Sequence, residues 1–207
     1  LLVATAAILW ALLGVFSVQI HKFGFSSTEI STLRWIFAAV IMFIIILLTD
    51  RKKLKIKFKD IWMFVLTGVF SYMLTSVFYF ISMELTSAAV ANVLMYASPV
   101  WVLIMSRIFY KESFNAIKLI SIFGTFGGCI LVSGLLSQGS GIFNATGIAF
   151  GILSGISYGA YSIIAKAVLK KYDNVTLTAY ACIFAGLSSL FTLNPHRAAE
   201  IIFAAPS

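Results

Sequence analysis

Apolar runs of about twenty residues follow one another along almost the whole sequence. A helix of that length crosses the hydrocarbon core of a bilayer, and a helix satisfies its own backbone hydrogen bonds there. We therefore expect an all-α, polytopic membrane protein. Its seven predicted spans, numbered 1 to 7 below, are residues 1–20, 30–49, 61–82, 87–106, 116–136, 147–169 and 175–193.

Positive charges are distributed unevenly between the loops that join these spans. Hydrophobic residues make up 61% of the 207 residues and charged residues only 11%, yet the net charge is +8. Of the fifteen lysines and arginines, six lie in residues 50–60, three in 107–118 and three in 166–174. Because loops rich in lysine and arginine stay in the cytoplasm, we expect these loops and the N-terminus to be cytoplasmic in a multi-pass protein of the cell membrane. A nucleic-acid or anionic-lipid site in residues 50–60 is the alternative.

Spans 1 and 2 resemble spans 6 and 7. With one residue of slippage, the alignment pairs Trp10 with Tyr158 and residues 36–39 with residues 183–186. The offset is about 148 residues and five spans, and an odd number of spans gives the second copy the opposite orientation in the membrane. Inverted repeats of this kind surround the substrate site in many secondary transporters. The sequence therefore predicts an inverted repeat.

The predicted repeat divides the chain unequally. The first unit is complete over residues 1–136 and contains spans 1 to 5. The second unit is partial over residues 147–207 and contains spans 6 and 7 and the start of an outer loop. Residues 194–207 do not form an eighth span, because two prolines, a histidine and two charged residues interrupt them. We therefore expect the chain to stop before three further spans.

Spans 4 and 5 and the loops beside them carry a family resemblance. Residues 79–92 read Tyr-Phe-Ile-Ser-Met-Glu-Leu-Thr-Ser-Ala-Ala-Val-Ala-Asn. They are followed by Ser98-Pro99, Tyr110-Lys111-Glu112 and the glycines Gly124, Gly127 and Gly128. In order and spacing these residues resemble the EamA module of the drug/metabolite transporter superfamily, and the likeness extends over all 207 residues. The resemblance implies ten helices in two inverted five-helix repeats that move small metabolites, often outward. This chain departs from that pattern by stopping before an eighth helix.

Charged residues are scarce inside the spans. The nearest carboxylates, Glu29, Glu84 and Glu112, lie at loop edges. Any ion coupling would depend on such an edge residue or on further helices, or it would be absent. Arg34 and Lys166 lie within about a turn of an interface, where long cationic side chains reach the headgroups. Gating or substrate contact is the alternative for both.

Neutral polar and aromatic side chains form stripes on four spans. Their spacing of i, i+4 and i+7 places each stripe on one helix face. A face that mixes hydroxyls, an amide and large rings suits a protein-lined cavity, with interhelical packing and interfacial belts as the alternative. The predicted substrate pathway, between spans 1, 3, 4 and 6, is lined by Trp10, Ser17, Tyr72, Tyr79, Asn92, Tyr96, Pro99, Tyr158 and Tyr161.

Proline and glycine give three spans distinct backbone features. Pro99 lacks an N–H group and displaces the carbonyl of Met95, so we expect span 4 to bend there. Glycines at 147, 151, 155 and 159 leave one face of span 6 without side chains, and Gly124 and Gly128 do the same over a shorter strip of span 5. Glycines four residues apart let another helix approach closely. We expect both strips to be packing surfaces.

These features favour a secondary transporter that exports small metabolites by alternating access. The expected partners are the lipid bilayer and a small polar or amphipathic substrate such as an amino acid, and a homodimer is compatible with them. No cofactor, metal or nucleic acid is expected, because Cys129 and Cys182 lack metal or redox spacing and His21 and His196 lie in outer loops. A non-transporting receptor or scaffold is the alternative. An intramembrane enzyme is a weaker one, since no nucleophile with its base and no metal motif is visible.

Overall fold

The computed structural model describes residues 24–111 and 144–192, together with Thr5 and a few positions between 120 and 131. Over those residues the chain is helical and contains no strand. Four helices are long and apolar enough to cross a membrane: Thr28–Thr49, Phe58–Leu85, Ala88–Tyr110 and Ala145–Val168. They correspond to spans 2, 3, 4 and 6, and they confirm an all-α, polytopic membrane protein.

Span 7 is a shorter helix. It runs over Asn174–Ser189 and continues as a 3₁₀ turn over Leu190–Thr192, close to the predicted range. Spans 1 and 5 fall outside the described residues, apart from Thr5 and the few positions noted above. We call the end of the bundle that carries residues 50–60 the inner end, and the opposite end the outer end.

Polar caps decide where the spans begin. Span 2 occupies Ser27–Thr49 and starts three residues earlier than predicted. Ser26 Oγ accepts the Glu29 N–H at 3.3 Å, while a carboxylate oxygen of Glu29 accepts the Ser26 N–H at 2.7 Å. This capping box satisfies two donors that the start of a helix leaves unpaired. Asn144 and Asp173 cap spans 6 and 7 with their side chains. Apolar runs miss such starts because capping residues are polar.

Span 3 contains a π-helical segment that the sequence analysis did not predict. It runs over Leu66–Met73, between α-helical Ile61–Val65 and Leu74–Leu85. Gly68 lies in this segment, and a β-carbon on it would be 2.6 Å from the Ala181 carbonyl oxygen of span 7. The segment therefore brings span 3 into backbone contact with span 7. π segments are rare and concentrate at functional sites.

Span 4 is broken at the position where Pro99 predicts a bend. The helix Ala88–Tyr96 ends, Ala97 forms a turn, and a second helix runs over Ser98–Tyr110 with Pro99 in its first turn. Proline fits a first helical turn because the N–H that it lacks would have no intrahelical partner there. The predicted bend is confirmed, and the span extends four residues beyond its predicted end.

The glycine face of span 6 packs directly against spans 3 and 4. A β-carbon on Gly151 would meet the Leu94 side chain and lie 2.8 Å from Ser82 Oγ. A β-carbon on Gly155 would lie 2.7 Å from the Leu94 carbonyl oxygen. Only a glycine leaves room for these contacts, so the predicted close approach is confirmed. For span 5, the structure describes too few positions to test the corresponding strip.

Spans 2 and 7 pack side by side in opposite directions. Thr32 Oγ1 donates to the Ser189 carbonyl oxygen at 3.3 Å, and Gly186 lies against the backbone of Ile36. Residue numbers increase along one helix and decrease along the other, which makes the pair antiparallel. Span 7 also packs on the π segment of span 3, so spans 2, 3, 6 and 7 form one bundle.

We expect added bulk on the glycine face to destabilise the bundle. Gly155→Leu places side-chain atoms where the Leu94 carbonyl oxygen lies, and overpacking of this kind costs about 1–3 kcal/mol or more. The midpoint of thermal unfolding in detergent should fall, and so should the folded fraction in size-exclusion chromatography. Ser162→Leu adds bulk at an exposed position of the same helix and should change neither. Equal losses in the two variants would contradict the close contact.

Candidate functional site

Three aromatic rings from spans 2, 3 and 6 stack on one another. The ring centroids of Trp35 and Tyr72 are 4.7 Å apart, with an interplanar angle of 13°. Those of Tyr72 and Tyr161 are 5.4 Å apart, with an angle of 25°. Aromatic pairs at such distances contribute about 0.5–1.5 kcal/mol beyond the burial of their area. Tyr72 lies close to the middle of span 3, so the stack joins the three spans at mid-bundle.

A second set of polar rings joins spans 3, 4 and 6. The Tyr79 hydroxyl donates to the side-chain oxygen of Asn92 at 3.1 Å. The hydroxyls of Tyr79 and Tyr158 both interact electrostatically with that of Tyr96, and Tyr158 interacts with Tyr161. Tyr96 and Tyr158 are 47% and 37% exposed. These two rings therefore lie on a surface of the described helices rather than in their core.

Tyr161 stacks on Tyr72 and interacts electrostatically with Tyr158, so it links the two sets, which together we call the aromatic belt. It starts on span 2, crosses spans 3 and 6 and ends on span 4. Its members are Trp35, Tyr72, Tyr161, Tyr158, Tyr96, Tyr79 and Asn92. A row of rings that carry hydroxyl, indole N–H and amide groups at their edges can bind both the apolar body and the polar groups of a small molecule.

Most of the predicted pathway residues lie in the belt. The exceptions are Trp10 and Ser17, which fall outside the described residues, and Pro99, which is exposed at the break in span 4. Trp35 belongs to the belt but was not predicted, because a tryptophan near the end of a span is as typical of a lipid-facing position. Its stacking with Tyr72 depends on how spans 2 and 3 are placed, which the sequence of span 2 does not reveal.

Ser76 of span 3 and Ser154 of span 6 lie on the same helix faces as the belt tyrosines but do not take part in the belt. Ser76 Oγ donates to the Tyr72 carbonyl oxygen at 3.1 Å. Ser154 is fully buried, and its Oγ donates to the Gly151 carbonyl oxygen at 2.7 Å. Each hydroxyl is therefore occupied by the backbone of its own helix, a common arrangement for serine inside helices.

A narrow cleft opens beside Trp35 toward the outer end, between spans 2, 3 and 7. Ser31 Oγ and Trp35 Nε1 are buried here and have no hydrogen-bond partner among the described residues. The side chains that line this outer cleft are Thr28, Ser31, Thr32, Trp35, Met73, Ser76, Val77, Phe80 and Ser189.

Arg34 points into the bundle. Its guanidinium carbon lies 4.7 Å from the centroid of the Trp35 ring, and its Nε is buried without a hydrogen-bond partner in the described part of the chain. The Nε of Arg34 is therefore buried among the described helices, and its reach toward the headgroups stays a prediction. Lys166, by contrast, is exposed at the inner end and lies 4.4 Å above the centroid of the Tyr110 ring.

Ion pairs join the loops at the inner end. Asp60 is buried and accepts hydrogen bonds from Lys171 Nζ at 2.6 Å and from the Tyr172 hydroxyl at 2.9 Å. Lys53 Nζ lies 2.8 Å from a carboxylate oxygen of Asp173. The hydrogen bond to Asp60 raises the pKa of Lys171, and the hydrogen bond from Lys53 is the main cause that lowers the pKa of Asp173 to about 2. We call these five residues the inner latch.

An apolar cluster closes the inner end directly beneath the latch. Its buried members are Phe64, Ala165, Val168 and Leu177. The ring of Phe64 contacts the ring of Tyr172 from the latch, with centroids 5.3 Å apart. Tyr161 of the aromatic belt packs on the same cluster. The belt therefore adjoins this cluster at Tyr161, and the outer cleft lies beside Trp35 at the start of the belt.

The site offers groups for binding rather than for covalent chemistry. No cluster of histidine, cysteine or carboxylate side chains that could hold a metal occurs in residues 24–111 or 144–192. Cys182 is a buried free thiol. The belt supplies rings, hydroxyls and an amide, which bind and orient a ligand without forming a bond to it.

Comparison with known proteins identifies relatives for most of the chain. The EamA-like transporter family matches residues 1–134. An uncharacterized transporter of Archaeoglobus fulgidus is 30% identical over 162 residues, which cover 78% of this chain and 55% of that protein. A second one from the same organism is 28% identical over 141 residues, which cover 61% and 47%. The uncharacterized transporter YyaM of Bacillus subtilis is 24% identical over 180 residues, which cover 83% and 58%. The chain thus spans about half the length of these curated relatives. No solved structure matches.

We expect Tyr79 and Asn92 to be energetically coupled. In a double-mutant cycle, Tyr79→Phe and Asn92→Ala remove the same hydrogen bond, so their combined effect on the free energy of unfolding should be smaller than the sum by about 0.6 kcal/mol. Tyr180→Phe removes a hydroxyl that donates to the Leu54 carbonyl oxygen at the inner end, and its effect should add to that of Asn92→Ala. Additive effects in both cycles, measured by unfolding in mixed detergent, would contradict the bond.

Proposed function

The chain belongs to the EamA-like transporter family, and we propose that the protein exports small metabolites across the cytoplasmic membrane by alternating access. The family and the names of the relatives indicate a multi-pass membrane transporter rather than an enzyme. The aromatic belt is the observation that supports export by alternating access. In this proposal the belt crosses four spans, is accessible at the outer cleft and is closed at the inner end.

The belt is the substrate pathway in this proposal. Transport requires a surface that binds a molecule weakly enough to release it, and rings with polar edges meet this requirement for amphipathic metabolites such as amino acids. Tyr96 and Tyr158 are exposed on the described helices, whereas a packing residue at a helix seam would be buried. Trp10 and Ser17 on span 1 would complete the pathway opposite Tyr158.

The antiparallel pair of spans 2 and 7 supports two inverted units over residues 1–136 and 147–207. The sequence alignment pairs residues 36–39 with residues 183–186, and Ile36 lies against Gly186 in the structure. Equivalent segments of two units related by a two-fold axis meet each other where that axis passes. An inverted repeat lets the two ends of a pathway open in turn by exchanging the conformations of the two units.

The inner latch and the cluster beneath it act as the inner gate. The lysines of residues 50–60 favour a cytoplasmic inner end, with the N-terminus on the same side. The described conformation would then be closed to the cytoplasm. The pair of Lys53 and Asp173 is partly exposed and contributes little, whereas Asp60 is buried and bound by its donors Lys171 and Tyr172. In this proposal, the free energy of substrate binding shifts the gate between closed and open states.

We expect substitutions in the belt to impair flux without impairing folding. In proteoliposomes of the intact protein, screened by counterflow with amino acids and amphipathic metabolites, Asn92→Ala and Tyr96→Ala should each reduce flux about tenfold, the effect of losing roughly 1.4 kcal/mol of binding. Expression and monodispersity should not change. Phe37→Ala removes an equally large ring that is 63% exposed outside the belt, and it should keep full flux. Unchanged flux in both belt variants would remove the belt from the pathway.

We expect the latch to control access from the cytoplasm. In a background without Cys129 and Cys182, an impermeant maleimide should label Tyr161→Cys slowly in inside-out vesicles. Adding Asp60→Asn should speed that labelling severalfold, because Lys171 and Tyr172 lose their charged acceptor. Glu84→Gln, an exposed carboxylate at the outer end, should not change the rate.

Orientation and pH supply the controls for this experiment. Lys55→Cys should be labelled in inside-out vesicles and not in intact cells, and the opposite result would overturn the orientation. Because the pKa of Asp173 is lowered to about 2, its contribution to the latch is complete above its ordinary value of 3.8 and is lost only as the pH falls toward 2. The labelling rate should therefore be the same at about pH 6 and about pH 8 once corrected for thiol reactivity. An unchanged rate in Asp60→Asn would contradict the gate.

A further inference from the structure

Three hydrogen-bond donors on one face of span 2 are buried without partners. Ser31, Arg34 and Trp35 are spaced i, i+3 and i+4, which places them side by side on a helix. Ser31 Oγ, Arg34 Nε and Trp35 Nε1 are buried, and none of them has a hydrogen-bond partner among the described residues. Ser31 and Trp35 line the outer cleft, and the guanidinium of Arg34 lies over the Trp35 ring. We call these three residues the donor face.

Buried polar groups in proteins are almost always paired, and an unpaired exception calls for a ligand, a water or strain as its explanation. Elsewhere in the bundle, most hydroxyls donate to their own helix, as Thr67 does to Met63, although Ser71 and Ser82 of span 3 are also buried without a partner among the described residues. The indole N–H of Trp35 and the guanidinium of Arg34 are pure donors and need an acceptor that span 2 does not provide. An acceptor must therefore come from elsewhere.

The charge of Arg34 is not balanced by any carboxylate that the structure places beside it. The titratable group that interacts with it is the Cys182 thiol of span 7. An ordinary thiol carries no charge near pH 7 and so does not balance the guanidinium. Glu29, one turn away on span 2, is bound to the backbone and hydroxyl of Ser26. An intramembrane cation that has no counter-ion among the described residues is a candidate position for binding an anion.

We propose that the donor face binds the carboxylate of an amphipathic organic monoanion, and this proposal rests on the proposed role of the belt as the substrate pathway. Arg34 supplies one positive charge and a planar set of N–H donors that matches a carboxylate. Ser31 and Trp35 supply an O–H and an N–H beside it. The stack of Trp35, Tyr72 and Tyr161 then holds the apolar body of the same molecule.

A monoanion fits this face better than a phosphate ester. One arginine neutralises a single charge, and a dianion would leave one charge uncompensated among buried groups, where charges are costly. The stacked rings continue directly from the donor face, so a ligand with a carboxylate at one end and an apolar or aromatic body at the other spans both. A lipid headgroup phosphate carries the same single charge. The experiment must therefore distinguish an organic carboxylate from a lipid phosphate.

The test measures binding by the intact protein in nanodiscs of zwitterionic phosphatidylcholine. The probes are 4-phenylbutyrate and its neutral isostere 4-phenylbutyramide, and the readout is the ligand-induced rise in unfolding temperature. We expect the carboxylate to bind about tenfold more tightly than the amide. Arg34→Gln should abolish this difference while leaving the affinity for the amide unchanged, and Arg34→Lys should restore part of it. Arg107→Gln, an exposed arginine at the inner end, should behave as the wild type.

A second, milder variant tests the proposal even if Arg34→Gln fails to fold. Trp35→Phe keeps an aromatic ring in the stack but lacks the N–H, and it should weaken carboxylate binding severalfold with little effect on the amide. Equal affinities for the two probes in the wild type, or equal losses for both probes in the Arg34 and Trp35 variants, would overturn the proposal. Displacement of 4-phenylbutyrate by added phosphatidylglycerol would assign the face to a lipid headgroup and would also overturn it. Loss of flux in the Asn92 and Tyr96 variants is a separate outcome, because it tests the pathway and not the charge of its ligand.

Discussion

The direct contact between the glycine face of span 6 and spans 3 and 4 is the interaction on which the site depends. Lipid tails are as apolar as leucine side chains, so helices in a bilayer gain little from burying hydrophobic surface against each other and depend on close packing instead. Gly155 allows span 6 to reach the Leu94 carbonyl of span 4. With that face buried, Tyr161 stacks on Tyr72 of span 3, and Tyr158 interacts electrostatically with Tyr96 of span 4.

Hydroxyl groups inside the spans fall into two classes. Most donate to a carbonyl one turn earlier in the same helix, as Thr67 does to Met63 at 2.7 Å and Thr86 to Ser82 at 2.6 Å. Such groups are satisfied without any partner and say nothing about a cavity. The remaining hydroxyls are bonded across helices, as Tyr79 is to Asn92, or are buried without a partner among the described residues, as Ser31, Ser71 and Ser82 are. Polar residues inside a membrane span therefore indicate a site only when their own backbone does not use them.

The two ends of the described bundle are built differently, and this difference supports the proposal of alternating access. At the inner end, the carboxylate of Asp60 is buried between two donors, above an apolar cluster that excludes water. At the outer end, donors on span 2 are buried without acceptors. A substrate that supplied an acceptor would therefore stabilise the arrangement at the outer end. A state that binds the substrate better is populated in proportion to that difference in affinity.

The sequence by itself determined the class of the protein, the spans that the structure describes and the break in span 4, because these depend on local properties: the length of an apolar run, the missing N–H of Pro99 and the missing side chains of the glycines. Helical periodicity is local as well, so the sequence also indicated that Tyr72, Tyr79 and Asn92 share faces with other polar side chains, while their role in a pathway stays a prediction. Tertiary structure alone decided which faces meet. The stacking of Trp35 on Tyr72 and the burial of Arg34 Nε follow from how span 2 lies against its neighbours, whereas the π segment of span 3 lies where Gly68 packs against span 7. Span 2 is apolar on nearly every side, and a helix with so little polar asymmetry does not indicate which of its faces is turned toward its neighbours.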